Sequence, residues 1–187
     1  MKIKLKKYFN KNIIQIFPKQ FLDNRGFFME TFQKKIFKNM GINDNFKKEN
    51  FSFSKNKNTF RGIHFQTYPM AQSKLVTVLS GEIIDIVVDL RFNSKTFGRS
   101  IKIKLGSDKM SMLYIPAGFG HGFLTIKKDT LVSYKVSEYY SPKHEKTLSI
   151  NDSKINIRLG ISRDKLILSK KDKNGLKLHE IQKIKLK

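Results

Sequence analysis

Two histidines of this 187-residue chain sit in patterned sequence, and an imidazole is the side chain best suited to move protons near neutral pH. His64 belongs to Arg61-Gly62-Ile63-His64-Phe65-Gln66, a period-2 run that puts Ile63 and Phe65 on one face and His64 and Gln66 on the other. Arg61 precedes it by three residues and Lys74 opens the next strand, so a cation and a base can line one cavity. His121 lies in Pro116-Ala117-Gly118-Phe119-Gly120-His121-Gly122-Phe123, which reads as a glycine-rich turn with close backbone approach or positive φ. Tyr134 heads Tyr134-Lys135-Val136-Ser137-Glu138-Tyr139-Tyr140 and offers a phenolic proton; alternation places Tyr134, Val136 and Glu138 together. The turn Asp23-Asn24-Arg25-Gly26 sets Arg25 at a strand entrance and Glu30 within the strand. Taken singly, each residue has an ordinary structural reading as well, the histidines as satisfied core groups and Tyr134 as an amphipathic core residue.

Several chemistries are excluded by what is missing. The chain has no cysteine, which removes disulfides, thiolate metal sites and a thiol nucleophile. A paired-histidine metal site on the His64 strand would need a second histidine two residues on, where Gln66 stands. No His-Glu-x-x-His helix, Gly-x-Ser-x-Gly elbow, phosphate-binding loop or dinucleotide fingerprint occurs. Acid/base chemistry without metal or cofactor is what the inventory leaves.

The elements that must hold these residues are short strands. Lys74–Ser80 and Glu82–Leu90 are β-branched runs parted by Gly81, which reads as a hairpin. Ile101-Lys102-Ile103-Lys104-Leu105 alternates as a half-buried strand should. Ser111–Ile115, Gly122–Ile126 and Leu131–Val136 follow at similar spacing, and Ile13–Phe17, Gly26–Phe32 and Asn50–Phe53 precede them. One short helix is expected within Thr31–Met40, ended by Gly41, with Phe32, Ile36 and Phe37 on one face. The spacing predicts an all-β sandwich or barrel in a single domain spanning residues 1–187, with a helix or tail over about 173–187.

The charge balance is 38 Lys+Arg against 15 Asp+Glu, a net +23. Only six of the basic residues are Arg, and the lysines are spread along the chain, so a solvated lysine surface explains the charge better than a nucleic-acid stripe. The longest apolar stretch is broken by Asp85 and Asp89, and no membrane span or secretory core is read, which predicts a cytoplasmic protein.

Together the segments DNRGFFMETF, NFSFSKNKNTFRGIHFQ, KLVTVLSGEIIDIVVDLR, SKTFG, IPAGFGHGF, YKVSEYYSPKHE and LSKKDK resemble the dTDP-4-dehydrorhamnose 3,5-epimerases from about Phe17 to Asp172. The resemblance implies a cupin-type jelly-roll β-sandwich with a few short helices, a homodimer, and a dTDP-linked 4-keto-6-deoxyhexose as substrate. It implies no metal, cofactor, nucleic-acid or membrane partner. It also implies roles for His64 as general base, Asp172 as its paired carboxylate, Tyr134 as proton donor and Lys74 beside the developing enolate. Arg25, Glu30, Lys48, Asn50, Arg61, Lys74, His121, Glu145 and Lys171 match substrate-contacting positions, and Tyr140 an aromatic stacked on the nucleotide base. Lys48 departs from the glutamine usual there, and Ile150-Asn151-Asp152-Ser153 from a Trp-Asn-Asp-Pro run. The implied activity is isomerisation at C3 and C5 for rhamnose and cell-surface polysaccharide synthesis. Its rivals are epimerisation at one carbon only and a non-catalytic polyanion-binding module.

Overall fold

The computed structural model describes residues 3–9, 11–155 and 157–182. Six antiparallel strands form one sheet in the order β1 (Lys4–Tyr8), β2 (Ile13–Phe17), β10 (Met112–Ile115), β7 (Lys74–Ser80), β12 (Thr130–Val136) and β5 (Lys48–Ser54). Five form the facing sheet, ordered β13 (Glu145–Thr147), β6 (Phe60–Gln66), β11 (Phe119–Thr125), β8 (Glu82–Asp89) and β9 (Ser100–Gly106). A hairpin of β3 (Gln20–Asp23) and β4 (Gly26–Met29) makes a separate two-stranded sheet. The helices are short: α1 (Lys34–Asn39), α2 (Lys170–Lys173) and α3 (Leu178–Ile181). This is the all-β jelly-roll sandwich expected.

Burial follows the alternation of each strand. Ile83 and Val87 on β8, Val76 and Val78 on β7, and Ile103 and Leu105 on β9 meet between the sheets. Alternate residues of β8, Ile86 and Val88, point outward and are buried too, because the segment carrying Leu148, Ile155 and Leu178 covers that face. Phe37 of α1 and Ile42 cover the outer face of the other sheet against Ile14, Leu75 and Met112. A strand buried on both faces reads as a continuous apolar run, as Ile-Ile-Asp-Ile-Val-Val does.

Two local expectations fail. β7 and β8 do not form a hairpin: β7 pairs with β10 and β12, β8 with β11 and β9. One residue is too short for a hairpin loop. Gly81 instead turns the chain from one sheet to the other at φ +81°, where a Cβ would collide with Thr130. His121 is likewise not in a turn but inside β11. Its flanking glycines serve packing between strands, since a Cβ on Gly122 would lie 2.8 Å from the Arg61 carbonyl oxygen and one on Gly120 2.7 Å from Ile63 Cγ2. The helix expected within 31–40 is confined to α1, and the strand expected over 26–32 to β4. Of the expected terminal helix or tail, α3 is present, with Leu178 and Ile181 buried, while residues 183–187 lie outside the described residues.

Candidate active site

A cavity of about 340 Å³ opens between the two sheets. The five-stranded sheet contributes Arg61 and His64 from β6, His121 from β11 and Glu145 from β13. The facing sheet contributes Lys48 and Asn50 from β5, Lys74 from β7 and Tyr134 from β12. Tyr140 lines the mouth, and Asp172 closes one side from α2.

Simple alternation would send Arg61 and His64 to opposite faces, being three residues apart. The ladder to β11 resolves this: His121 pairs with His64 and Phe123 with Arg61, so β6 carries an extra residue between them. The bulge falls at Gly62, at φ +131°, where a Cβ would stand 2.5 Å from Gly122 Cα. A glycine facing a glycine thus lets the two strands approach and turns both functional side chains into the cavity.

His64 Nε2 donates to Asp172 Oδ1 at 2.6 Å, leaving the Nδ1 lone pair free as the basic atom. Ser169, the N-cap of α2, donates to the other carboxylate oxygen at 2.8 Å and accepts from the Asp172 N–H. Burial pushes the Asp172 carboxyl up, but hydrogen bonds and charge from His64, with Ser169 and the Gly62 N–H, bring it net below its ordinary value. Burial raises the Tyr134 phenol, with Arg61 opposing and Glu145 adding, so the phenol keeps its proton at neutral pH. Lys74 is held down to about 8 by burial, against the attraction of Asp85 and Glu145. Its ammonium donates to the His64 carbonyl oxygen at 3.4 Å. Glu145 takes an ion pair from Lys171 and a 2.9 Å hydrogen bond from Tyr140; these outweigh its burial and keep its carboxyl low.

The dTDP-4-dehydrorhamnose 3,5-epimerase family model matches residues 10–180. The chain belongs to that family of isomerases. The family's member in Methanothermobacter thermautotrophicus is 40% identical over 168 residues, 89% of this chain and 90% of that one. The crystal structure of the Bacillus anthracis epimerase, with TDP and PPi bound, superposes with a TM-score of 0.90 at 38% identity, covering 94% of this chain and 99% of that one. The Legionella pneumophila epimerase, in complex with dTDP-4-keto-L-rhamnose, gives 0.91 at 33% identity, covering 100% and 99%.

Ten of the residues singled out from the sequence therefore meet around one cavity. Lys171 sits at its rim through Glu145. Arg25 and Glu30 do not reach it within one chain. Arg25 stands at the tip of the β3–β4 hairpin, 85% exposed and paired with Asp23 at 2.6 Å. Glu30 follows β4 and accepts from Gln33 ahead of α1. The hairpin that carries Arg25 forms its own two-stranded sheet, apart from the two sheets that enclose the cavity.

Sequence reasoning missed Asp85, Gln66 and Ser169 as parts of the site. Asp85 accepts from His121 Nε2 at 2.8 Å. Gln66, buried, donates to the Tyr139 carbonyl and accepts from the Ser141 N–H, which fixes the loop presenting Tyr140. The signal for Asp85 was available: a carboxylate at an inward position in the middle of a β-branched strand.

Proposed function

We propose that this chain is a dTDP-4-dehydrorhamnose 3,5-epimerase, inverting dTDP-4-dehydro-6-deoxy-D-glucose at C3 and C5 by proton transfer. What carries this reading is the placement of His64 on one sheet and Tyr134 on the facing sheet, with the cavity between them. Epimerisation needs a base on one face of the sugar and an acid on the other.

The substrate's C4 ketone acidifies its neighbouring C–H bonds and serves as the electron sink, so neither metal nor cofactor is required. His64 Nδ1 removes the proton, and Asp172 stabilises the imidazolium that forms. Negative charge moves onto the C4 oxygen, where the Lys74 ammonium stabilises it more in the transition state than in the ground state. The Tyr134 phenol returns a proton to the opposite face. Arg61, Lys48 and Lys171 supply the cations for a pyrophosphate, Arg61 with the fork geometry that suits phosphate oxygens. Asn50, His121 and Glu145 address the sugar hydroxyls, and Tyr140 offers a ring to the base.

The working unit is a homodimer in the cytoplasm, each chain one epimerase domain completed near its end by Asp172. An isolated two-stranded hairpin is marginal in water. The β3–β4 hairpin exposes Phe21, Leu22, Phe27 and Phe28, and the β5 edge exposes Phe51 and Phe53. Seating the hairpin of one copy on the β5 edge of another covers both and carries Arg25 and Glu30 toward the partner's cavity.

Incubation with dTDP-4-dehydro-6-deoxy-D-glucose in deuterated water tests the reading. Deuterium at both C3 and C5, with L-rhamnose configuration after trapping by a reductase, is expected. Label at one carbon means a mono-epimerase, and no label from folded protein overturns the assignment.

A further inference from the structure

Inner-face positions on β8 are Ile83, Asp85, Val87 and, at the strand's end, Asp89, all fully buried. At Asp85 a carboxylate thus stands between two positions that supply core. The other buried carboxylate of β8, Asp89, is saturated by Arg91, Ser94 and Thr96 and has an evident role tying down its loop. Asp85 is different: Oδ2 accepts from His121 Nε2, and Oδ1 has no hydrogen-bond partner among the described residues. Facing it from the other sheet is Lys74, inward by the same alternation that buries Val76 and Val78. The other titratable groups that line the cavity with Lys74 are Lys48 on β5, Arg61 and His64 on β6, His121 on β11, Tyr134 on β12, Tyr140, Glu145 on β13 and Asp172 on α2, with Lys171 paired to Glu145. Among the negative groups Asp85 acts on the ammonium most strongly, ahead of Glu145.

We propose that Asp85 is a positioning residue for the epimerisation, acting through two others: its charge holds Lys74 as an ammonium, and its hydrogen bond fixes His121 with Nε2 protonated and Nδ1 as an acceptor toward the cavity. This rests on the reading above for its catalytic consequence, while its physical core does not. Without that charge, burial alone acts on Lys74, the amine loses its proton at lower pH, and the stabilisation of the C4 oxygen goes with it.

The test is Asp85→Asn, which keeps the shape and a hydrogen-bond acceptor for His121 but removes the charge. Lys74 is titrated by NMR in the substrate-free protein, its resonance assigned as the one missing from Lys74→Met. A fall of at least tenfold in the proton affinity of Lys74 is expected. The alkaline limb of kcat/KM should move to lower pH by the same factor, with the acid limb unmoved. An unshifted Lys74 titration in folded Asp85→Asn overturns the proposal whether or not the chain is an epimerase. A shifted titration with an unshifted alkaline limb overturns the catalytic part. If Asp85→Asn does not fold, Asp85→Asn combined with His121→Gln carries the same criterion on Lys74. In the wild type, ¹⁵N NMR of His121 must show protonation at Nε2; protonation at Nδ1 alone overturns the proposal.

Discussion

The cavity holds two histidine–aspartate pairs of nearly equal geometry, 2.6 Å for His64–Asp172 and 2.8 Å for His121–Asp85. Their surroundings differ. The His64 side chain is 29% exposed and that of Asp172 4%, while His121 and Asp85 are at 8% and 0%. His64 and Asp172 come from segments 108 residues apart, strand against helix, and Asp172 is further bonded by Ser169. His121 and Asp85 sit on adjacent strands of one sheet, with one oxygen of Asp85 unpaired among the described residues. A base must collect and release protons, so it needs a fully supported partner and an open side. The deeper pair lacks that access and suits holding a fixed hydrogen-bond pattern and a fixed charge.

The sharpest break between the pairs comes from neutralising each imidazole. His64→Asn is expected to cut kcat by on the order of 10³-fold or more, since general-base assistance is worth about 10²–10⁴. His121→Asn should raise KM and lower kcat only about tenfold. Equal losses measured in steady-state assays would erase the distinction between the two pairs. Next in size, Asp172→Asn should cost about 10²–10³ in kcat, because an amide neither stabilises the imidazolium nor fixes its tautomer. That variant also reports on stability. The lowered Asp172 carboxyl stabilises the fold above the unfolded-state value and loses that contribution as pH falls through its folded value. Acid unfolding followed by circular dichroism should therefore be less steep in Asp172→Asn.

A smaller effect separates the pairs by pH. Lys74, next to the deeper pair, gives up its proton near 8. The ammonium is present below that pH and lost above it, so kcat/KM should decline on the alkaline side from about 8. A profile flat to the ordinary lysine range would detach Lys74 from the chemistry.

The two pairs were also unequally legible in the sequence. His64 stood out through alternation beside Ile63 and Phe65, but alternation alone does not explain how Arg61, three residues earlier, shares its face. Only the bulge at Gly62 brings the two together, and a bulge depends on the neighbouring strand, here Gly122. Asp172 was named through the family motif, because nothing local ties a four-residue helix to a strand so distant in the chain. Asp85 was seen merely as an interruption of an apolar run. Its meaning depends on which strand faces β8, and the sequence suggested a β7–β8 hairpin where the chain in fact passes from sheet to sheet. Strand existence follows from local pattern; strand partnership does not, and both pairs are partnership facts.

The smallest expected effect concerns the residues farthest from either pair. The Arg25–Asp23 contact is an exposed ion pair, screened by solvent, so Arg25→Ala should leave the melting temperature nearly unchanged. If Arg25 serves the partner's cavity, KM should rise about three- to tenfold, the range expected for about 0.7–1.4 kcal/mol of lost binding, with kcat little altered. Mixing the inactive His64→Asn protein with Arg25→Ala decides whether the contribution crosses between copies. A mixed dimer then contains one cavity with both wild-type groups, His64 from one chain and Arg25 from the other. Recovery of the wild-type KM in the mixture is expected. If Arg25 acts within its own chain, every cavity that keeps His64 lacks Arg25, and the mixture retains the raised KM of Arg25→Ala.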